Sequence, residues 1–403
     1  MIKGKRILLI ISGGIAAYKG PDLVRRLRER GASVRCVLTA GGAKFVSPLA
    51  LSTVSGDKVY QELFSLIDER EIGHIELSRD ADILVVAPAS ANILAKMVQG
   101  QADDIATTAL LATDKPVVVA PAMNIRMWEH AATQVNVAAL RSRGVTTLGP
   151  AEGDMACGEY GMGRMLEPVE IADALEAFFR DRERLSGRRA LVTSGPTLEA
   201  IDPVRYITNR SSGKQGHAIA SALAQLGTET TLVSGPTREP DPTGVRVIHV
   251  ESARQMLKAC EGTLPVDVAV FAAAVSDWRA AMEANGKIKK RPGETTTTLD
   301  LVENPDILAT ISSAGNRRPQ LVVGFAAETD DVIDNAARKL ETKGCDWIVA
   351  NDISKAAGTF GGVANTVHLI SRDGVENWPR LSKATVGERL AKRIAQRLTE
   401  AND

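Results

Sequence analysis

The chain has 403 residues, and at roughly 150 residues per domain that length predicts about two to three domains and excludes one small module. Apolar residues supply 44% and charged residues 24% of it, near the average for globular proteins, so a sizeable core is expected and wholesale disorder is not. Forty-nine basic residues balance forty-nine acidic ones, which leaves no general field for nucleic acid or an anionic membrane and requires any anion to be held by a built pocket.

Lys3, Lys5 and Arg6 precede an apolar stretch that imitates a signal peptide, but the run 7–11 is shorter than a usual signal core and reads as a buried first strand. Short β-rich runs at 6–11, 33–39, 82–88 and 116–120 alternate with helical stretches such as 16–30. That alternation predicts a parallel sheet covered by helices on both faces, with ligands at the carboxyl ends of its strands. The turn Ser12-Gly13-Gly14-Ile15-Ala16 after the first strand fits a phosphate cradle and fits simple punctuation equally; it is neither GxGxxG nor a Walker loop. Ser90 and Asn92 in Ala-Pro-Ala-Ser-Ala-Asn, and Asn124 in Pro-Ala-Met-Asn, follow later strands where a cofactor lies in an open sheet, and each also fits a helix cap. His74 stands alone, without a set of neighbours that would make it a metal ligand. Cys157 lies in the glycine-rich loop 153–165, an odd place for an inert buried thiol. None of the four cysteines forms a CxxC pair, so neither a disulfide scaffold nor a structural zinc is expected and a reducing compartment fits.

The spacing predicts a closing helix over 168–179, and the charged stretch 180–189, ending near Ser-Gly, suits an exposed linker. The expected domains are therefore 1–181 and 188–403, with 182–187 between them. The same grammar then restarts, with strands expected at 190–193, 230–234, 245–250, 266–274, 321–326 and 346–350, an alternating strand at 295–302, and helices at 214–226 and 384–398. The hydroxyl-rich, basic turn 202–216 fits an anion site or a solvated loop with a cap. Asp277, just past an apolar strand, fits a metal or ribose contact. The run Lys287-Ile288-Lys289-Lys290-Arg291 reads as a solvated face unless one lysine turns toward a phosphate. No apolar run reaches a membrane span, and 4% aromatic residues offer little for stacking on nucleic acid, so a soluble, cytoplasmic protein is expected, with no membrane or nucleic-acid partner.

The motifs SGGIAAYK, HIELSRDADILVVAPASAN, ADDIATTALLA, PAMNIRMW and MACGEYGMGRM, in that order over most of residues 5–180, resemble the FMN-dependent cysteine decarboxylases, in particular the phosphopantothenoylcysteine decarboxylases. The resemblance implies FMN contacts at Gly13, Gly14, Ile15, Thr39, Ser90, Asn92 and Ala122, and functional roles for His74, Asn124 and the loop thiol Cys157. Many relatives carry Ser where this chain has Gly14, which leaves the phosphate to backbone amides there. An α-carboxylate beside a saturated carbon has no electron sink. The resemblance therefore implies that the flavin first oxidises the substrate's thiol end, so that carbon dioxide departs to leave an enethiolate, with Asn124 on the carboxylate, His74 in positioning or proton movement, and Cys157 as proton donor to carbon.

Over about residues 188–375 the segments DPVRYITNRSSGKQG, AAAVSDW, NPDIL, GFAAET and Asn351-Asp352 resemble the bacterial, CTP-using phosphopantothenate-cysteine ligases. Two Rossmann-like domains are thus implied, a flavoprotein domain and then a CTP-binding ligase domain, together a bifunctional enzyme of coenzyme A biosynthesis. The resemblance puts nucleotide contacts at Phe271, Ala272, Ala273, Asp277, Lys287, Pro305, Asp306, Ile307, Leu308, Phe325, Lys339 and Lys343, magnesium at Asp277, and the acyl-cytidylate at Asn209. Thr197-Leu198-Glu199 departs from a family turn that often reads Thr-Arg-Glu. The implied substrates are phosphopantothenate, cysteine and CTP, and the implied assembly is a large homo-oligomer of decarboxylase trimers and ligase dimers. Two rival readings are a non-catalytic regulatory flavoprotein, disfavoured by the presence of His74, Asn124 and Cys157, and a nicotinamide dehydrogenase, disfavoured by the lack of GxGxxG in either half.

Overall fold

Five of the six residues of the first strand, β1 (Arg6–Ile11), are buried. Ile7, Leu9 and Ile11 belong to one apolar cluster and Leu8 and Ile10 to another, so both faces of the strand are covered and its sequence is a continuous apolar run. The structure, a computed structural model, describes residues 2–62, 74–155, 158–289, 297–328, 331–352 and 364–400. The chain divides into two compact units, Met1–Asp181 and Arg182–Asp403.

In the first unit, β1 is joined by β2 (Ser33–Leu38), β3 (Val59–Tyr60), β4 (Ile83–Ala89), β5 (Val117–Pro121) and β6 (Thr146–Thr147). All pair in parallel, in the order β3-β2-β1-β4-β5-β6. The order reverses between β1 and β4, and the crevice beyond their carboxyl ends is where an open α/β sheet takes its ligand. A small antiparallel hairpin, β7 (Ala151–Asp154) and β8 (Tyr160–Arg164), stands outside this sheet.

The second unit repeats the plan with unrelated residues. Its main sheet draws on β9 (Arg189–Ser194), with β10 (Leu198–Ala200) and β11 (Tyr206–Thr208) pairing beside it, then β12 (Glu229–Ser234), β13 (Arg246–His249) and β14 (Val268–Phe271). After them come β15 (Trp278–Ala280) and β16 (Leu301–Glu303), which pair only with each other, and β17 (Leu321–Glu328), β18 (Trp347–Asp352), β19 (Ala364–Ser371) and β20 (Gly374–Ser382). The order is β13-β12-β9-β14-β17-β18-β19-β20, parallel as far as β18 and antiparallel beyond it. The reversal here lies between β9 and β14.

Two sequence expectations need correction, and one pair of strands was not expected. Of the strand expected over 295–302, residues 297–300 form none and only Leu301–Glu303 pair, because β15 offers a partner just three residues long; residues 295 and 296 lie outside the described ones. The charged stretch 180–189 is not simply exposed: the helix Pro168–Arg182 runs into it, and Leu185 is 2% exposed and packs in the core of the second unit. The strands β19 and β20 escaped the reading, since both carry polar residues such as Asn, Arg and Glu among their apolar ones and β20, at the edge of the sheet, is mostly exposed. Among the described residues no helix is long and apolar enough to cross a membrane.

Candidate active sites

At the reversal in the first unit, Ser12 leaves β1 and Ser90 leaves β4. The Ser12 hydroxyl donates to the Pro88 carbonyl (2.7 Å) and accepts from the Ser90 amide (3.1 Å). The two strand ends are thereby clasped, and Ser90 also caps the helix Ala91–Gln99, accepting from the Ile93 amide. Beside them Gly13 passes so close to Gly41 that a Cβ on it would sit 3.2 Å from backbone carbon, so a larger residue would push the two turns apart by a few tenths of an ångström. Thr39 holds the second turn by accepting from the Gly42 amide (3.1 Å) and donating to the Ile11 carbonyl (3.3 Å).

A cavity of about 420 Å³ opens next to this crevice, with Gly14, Ile15 and Ala16 on one wall and Ala122, Met123 and Asn124 on another. The hairpin β7–β8 closes it with Asp154, Met155, Gly163 and Arg164, followed by Met165 and Glu167. Met123 donates its amide to the Gly163 carbonyl (3.0 Å), which fastens the hairpin to the Pro-Ala-Met-Asn turn. Asn124 caps the helix Ile125–Glu129 by accepting from the Arg126 amide (2.8 Å), while its Nδ2 donates to the Glu159 carboxylate. The cap reading and the functional reading of Asn124 are thus compatible in one side chain.

Of the residues singled out in this half, Gly14, Ile15, Ala122 and Asn124 line the cavity; Gly13, Thr39 and Ser90 build the turns behind it; and Asn92 is exposed on the helix beyond, away from the lining. His74 opens the helix His74–Arg79. Cys157 lies outside the described residues. The sequence reading missed Lys19, which is 8% exposed, lines the cavity, and reaches the Glu167 carboxylate at 2.9 Å and the Met165 carbonyl at 3.3 Å. Its presence within SGGIAAYK was the available signal. Cys36, Cys260 and Cys345 are buried free thiols, the first two pushed up to about 12 and the third to about 11 by burial, so they stay protonated and inert.

In the second unit a cavity of about 500 Å³ lies beyond the carboxyl ends of β9, β14 and β17. Thr193 accepts the Ala272 amide on its carbonyl (3.3 Å) and the Ala273 amide on its hydroxyl (3.2 Å), which closes the reversal as Ser12 does in the first unit. The floor is Phe271, Ala273 and Phe325, and one rim carries Val275, Ser276, Asp277 and Trp278. The opposite rim is the start of the helix Ile307–Ser312, with Asp306 capping the Ala309 amide at 2.9 Å. Lys339 and Lys343 enter from the helix Val332–Lys343: Lys339 donates to the Phe325 carbonyl (3.0 Å), and Lys343 pairs with the Asp306 carboxylate. Burial alone would raise the Asp306 carboxyl, but the Ala309 amide and Lys343 outweigh it and hold it below its ordinary range.

The structure brings Phe271, Ala273, Asp277, Pro305, Asp306, Ile307, Leu308, Phe325, Lys339 and Lys343 together around this cavity. Ala272 is outside the lining, since alternate residues of an extended segment face opposite ways. Asn209 stands at the lip, its Nδ2 donating to the carbonyl of the lining residue Val275 (2.9 Å). Lys287 is exposed and not part of the lining. Asn304 escaped the sequence reading, although it begins the quoted Asn-Pro-Asp motif: it lines the cavity and ties the two rims together by donating from Nδ2 to the Ser276 carbonyl (2.9 Å) and from its amide to the Asp277 carbonyl (2.8 Å). Among the described residues no group of three or more His, Cys, Asp or Glu side chains is arranged to hold a metal ion.

Comparison with known proteins matches both halves. Residues 1–180 fit the flavoprotein family model, and residues 185–398 fit the model of the DNA/pantothenate metabolism flavoprotein C-terminal domain. The bifunctional coenzyme A biosynthesis protein CoaBC of Vibrio vulnificus is 46% identical over 98% of both chains. That of Escherichia coli is 44% identical over 100% of this chain and 99% of its own, and that of Bacillus subtilis is 39% identical over 98% of both. Among solved structures, the C-terminal domain of a CoaBC protein is 38% identical, covering 54% of this chain and 99% of its own with a TM-score of 0.45. The FMN-binding protein AtHal3 is 37% identical over 44% and 97%, with a TM-score of 0.39. With relatives this similar over nearly its whole length, the chain belongs to the CoaBC family of bifunctional coenzyme A biosynthesis enzymes, joining a phosphopantothenoylcysteine decarboxylase to a phosphopantothenate-cysteine ligase.

Proposed function

We propose that the cavity of the first unit holds FMN and the cysteinyl substrate, and that the cavity of the second holds CTP with Mg2+. The observation that carries both readings is that the second cavity lies at the strand-order reversal of its sheet and the first beside it, each walled by the sequence motifs of its half. The residues of the first fit a flavin phosphate: Gly14 bares its backbone, the turn that follows begins a short helix, and Lys19, paired with Glu167, stands in the wall. Gly14, Ile15 and Ala122 in the lining would hold FMN, with Gly13, Thr39 and Ser90 in the turns behind and Asn92 reaching from the helix beyond. Bound FMN supplies reversible two-electron oxidation at the substrate's thiol end.

The chain's own residues do the rest. Asn124 binds the substrate carboxylate, and its present donation to the Glu159 carboxylate is the same kind of contact with a protein group in the ligand's place. Release of carbon dioxide leaves a carbanion-like carbon that Cys157 protonates, because a thiol is a far stronger acid than a hydroxyl. His74 positions the reacting end. The hairpin β7–β8 excludes water over the cavity.

Joining a carboxylate to an amine in water requires the carboxylate first to become an anhydride. The phosphopantothenate carboxylate attacks the α-phosphorus of CTP, pyrophosphate leaves, and the amine of cysteine then displaces CMP. Crowding two anions together needs cations, and Lys287, Lys339 and Lys343 supply them. Phe271, Ala272, Ala273 and residues 305–308 take the nucleoside, and Asn209 handles the acyl-cytidylate. Asp277 fits Mg2+, a hard ion that typically takes one or two carboxylates and completes its shell with water and substrate phosphates, so a three-carboxylate cluster is not required.

The ligase's product is the decarboxylase's substrate, which gives the fusion its chemical sense. Exposed apolar side chains beside each site, Ile15 and Tyr18 in one unit and Tyr206, Trp278 and Met282 in the other, support association into a homo-oligomer, for which the family resemblance implies decarboxylase trimers and ligase dimers. The free buried thiols support a reducing, cytoplasmic setting. One incubation with phosphopantothenate, cysteine, CTP and Mg2+, followed for phosphopantothenoylcysteine and for its decarboxylated product, tests the reading. A colourless protein, or failure to form either product, overturns it. For the domain limits, fragments 1–181 and 187–403 are each expected to fold and to retain one activity; a folded but inactive second fragment counts against an independent ligase.

A further inference from the structure

Asp202 lies in the short loop between β10 and β11, and its side chain is wholly buried although most of that loop is exposed. Its Oδ1 accepts from the amides of Val204 and Arg205, both at 2.9 Å. Its Oδ2 accepts from Arg205 Nε (3.0 Å) and Nη2 (2.6 Å), and also from the amide of Ile288 (3.1 Å), 86 residues further on. Arg205 Nη2 donates in turn to the Ile288 carbonyl (2.6 Å). Residue 288 is therefore gripped on both sides, and Ala284 adds a third tie through its amide to the Ile201 carbonyl (3.0 Å).

Residues 281–289 have no regular secondary structure and are almost all exposed. The segment buries too little apolar surface to hold itself in place, so its few polar ties decide where its backbone runs: the Ala281 amide on the Asp300 carbonyl and the Ala284 amide on the Ile201 carbonyl at its start, and the Asp202–Arg205 pair on Ile288 beside Lys287. Lys287 immediately precedes the gripped residue. The same loop leads through β11 to Asn209, which is anchored at the lip of the nucleotide cavity.

We propose that Asp202 is a positioning residue of the ligase: its carboxylate docks the segment carrying Lys287 onto the loop that carries Asn209, and so sets the lysine's reach into the cavity. This rests on the reading of Lys287 as the cation that assists carboxylate activation. Burial alone would raise the Asp202 carboxyl, but Arg205 and the backbone amides outweigh it and keep the group ionised throughout the working pH range. Titration of Asp202 therefore does not release the dock near neutral pH.

The test is a double-mutant cycle in the full chain, reading pyrophosphate release from CTP and phosphopantothenate before cysteine is added. Lys287→Gln is expected to slow release by roughly a hundredfold to a thousandfold. Asp202→Asn, which keeps the shape but loses the charge, should slow it about tenfold in kcat with the KM for CTP little changed. The double variant should be no slower than Lys287→Gln alone, because no lysine remains to be placed. Losses that multiply, or an Asp202→Asn enzyme with unaltered kcat, overturn the proposal. An unaltered Lys287→Gln enzyme overturns the reading of the lysine instead. Tryptic cleavage at residues 287–289 reads the dock without any chemistry: Asp202→Asn should be cut several times faster, and an equal rate rejects docking. If Asp202→Asn does not fold, Arg205→Lys, which removes the guanidinium fork and leaves Asp202 in place, is expected to show a smaller loss with the same non-additivity, and simple multiplication there rejects the proposal as well.

Discussion

The two units share a sheet order, with the third, second, first, fourth, fifth and sixth strands of each main sheet side by side, yet their cavities differ in substance. The first is walled largely by glycine, alanine and methionine, with Lys19 and Arg164 drawn to Glu167 at its hairpin side; the second is ringed by Asp277, Glu303, Asp306, Lys339 and Lys343. A flavin needs shape and a dry enclosure, whereas a triphosphate meeting a carboxylate needs charge compensation. The scaffold settles where a ligand sits, and what the strand ends and crossovers carry settles which chemistry follows.

The contrast breaks most sharply at Cys157. Cys157→Ser is expected to keep its flavin but to block the last reduction, so that the decarboxylated enethiol accumulates while the ligase is untouched; normal phosphopantetheine formation by this variant would remove the assignment. Next is Lys287→Gln, with roughly a hundredfold to thousandfold loss in pyrophosphate release and an unaffected decarboxylase. An unchanged rate returns the lysine to the solvated face on which the structure shows it and moves the role to Lys289 or Lys290.

Gly163 tests whether shape alone governs the first cavity. Its φ is +145°, and a Cβ there would lie 2.3 Å from the Met123 carbonyl oxygen. Gly163→Ala should therefore displace the Met123-Asn124 turn at a cost of about 1–3 kcal/mol, seen as roughly a tenfold slower decarboxylation with the ligase unchanged; full activity would show that the hairpin does not bear on the site.

The smallest effect concerns charge away from either cavity. Glu376 accepts from Trp378 Nε1 (2.9 Å) and from Arg389 (3.0 Å) and Arg393 (3.1 Å). Burial alone would raise its carboxyl, but these partners hold it below the ordinary glutamate value. A lowered folded-state value means stability that is fully present above about pH 4.3 and is lost as pH falls through the folded value. Because the arginines are 40% and 42% exposed, the contribution is under about 1 kcal/mol. Urea unfolding of Glu376→Gln at pH 7 and pH 4 should show a slightly smaller pH dependence than the parent chain, and an identical dependence removes Glu376 from the account.

Local sequence determined a good deal of this protein. Continuous apolar runs such as 6–11 announced strands buried on both faces, glycines and hydroxyls marked their carboxyl ends, and ordered motifs named both families, because each of these signals is written within a few adjacent residues. What only the tertiary structure decided is whatever depends on partners distant in the chain. The end of the 295–302 strand, the burial of Leu185, the bond from Asn304 to the Ser276 rim and the grip of Asp202 on Ile288 are examples. A hydrogen bond spanning 86 residues leaves no periodicity in either segment it joins. The motif supplied Asp202 and the charge run supplied Lys287, but only the fold brought them together.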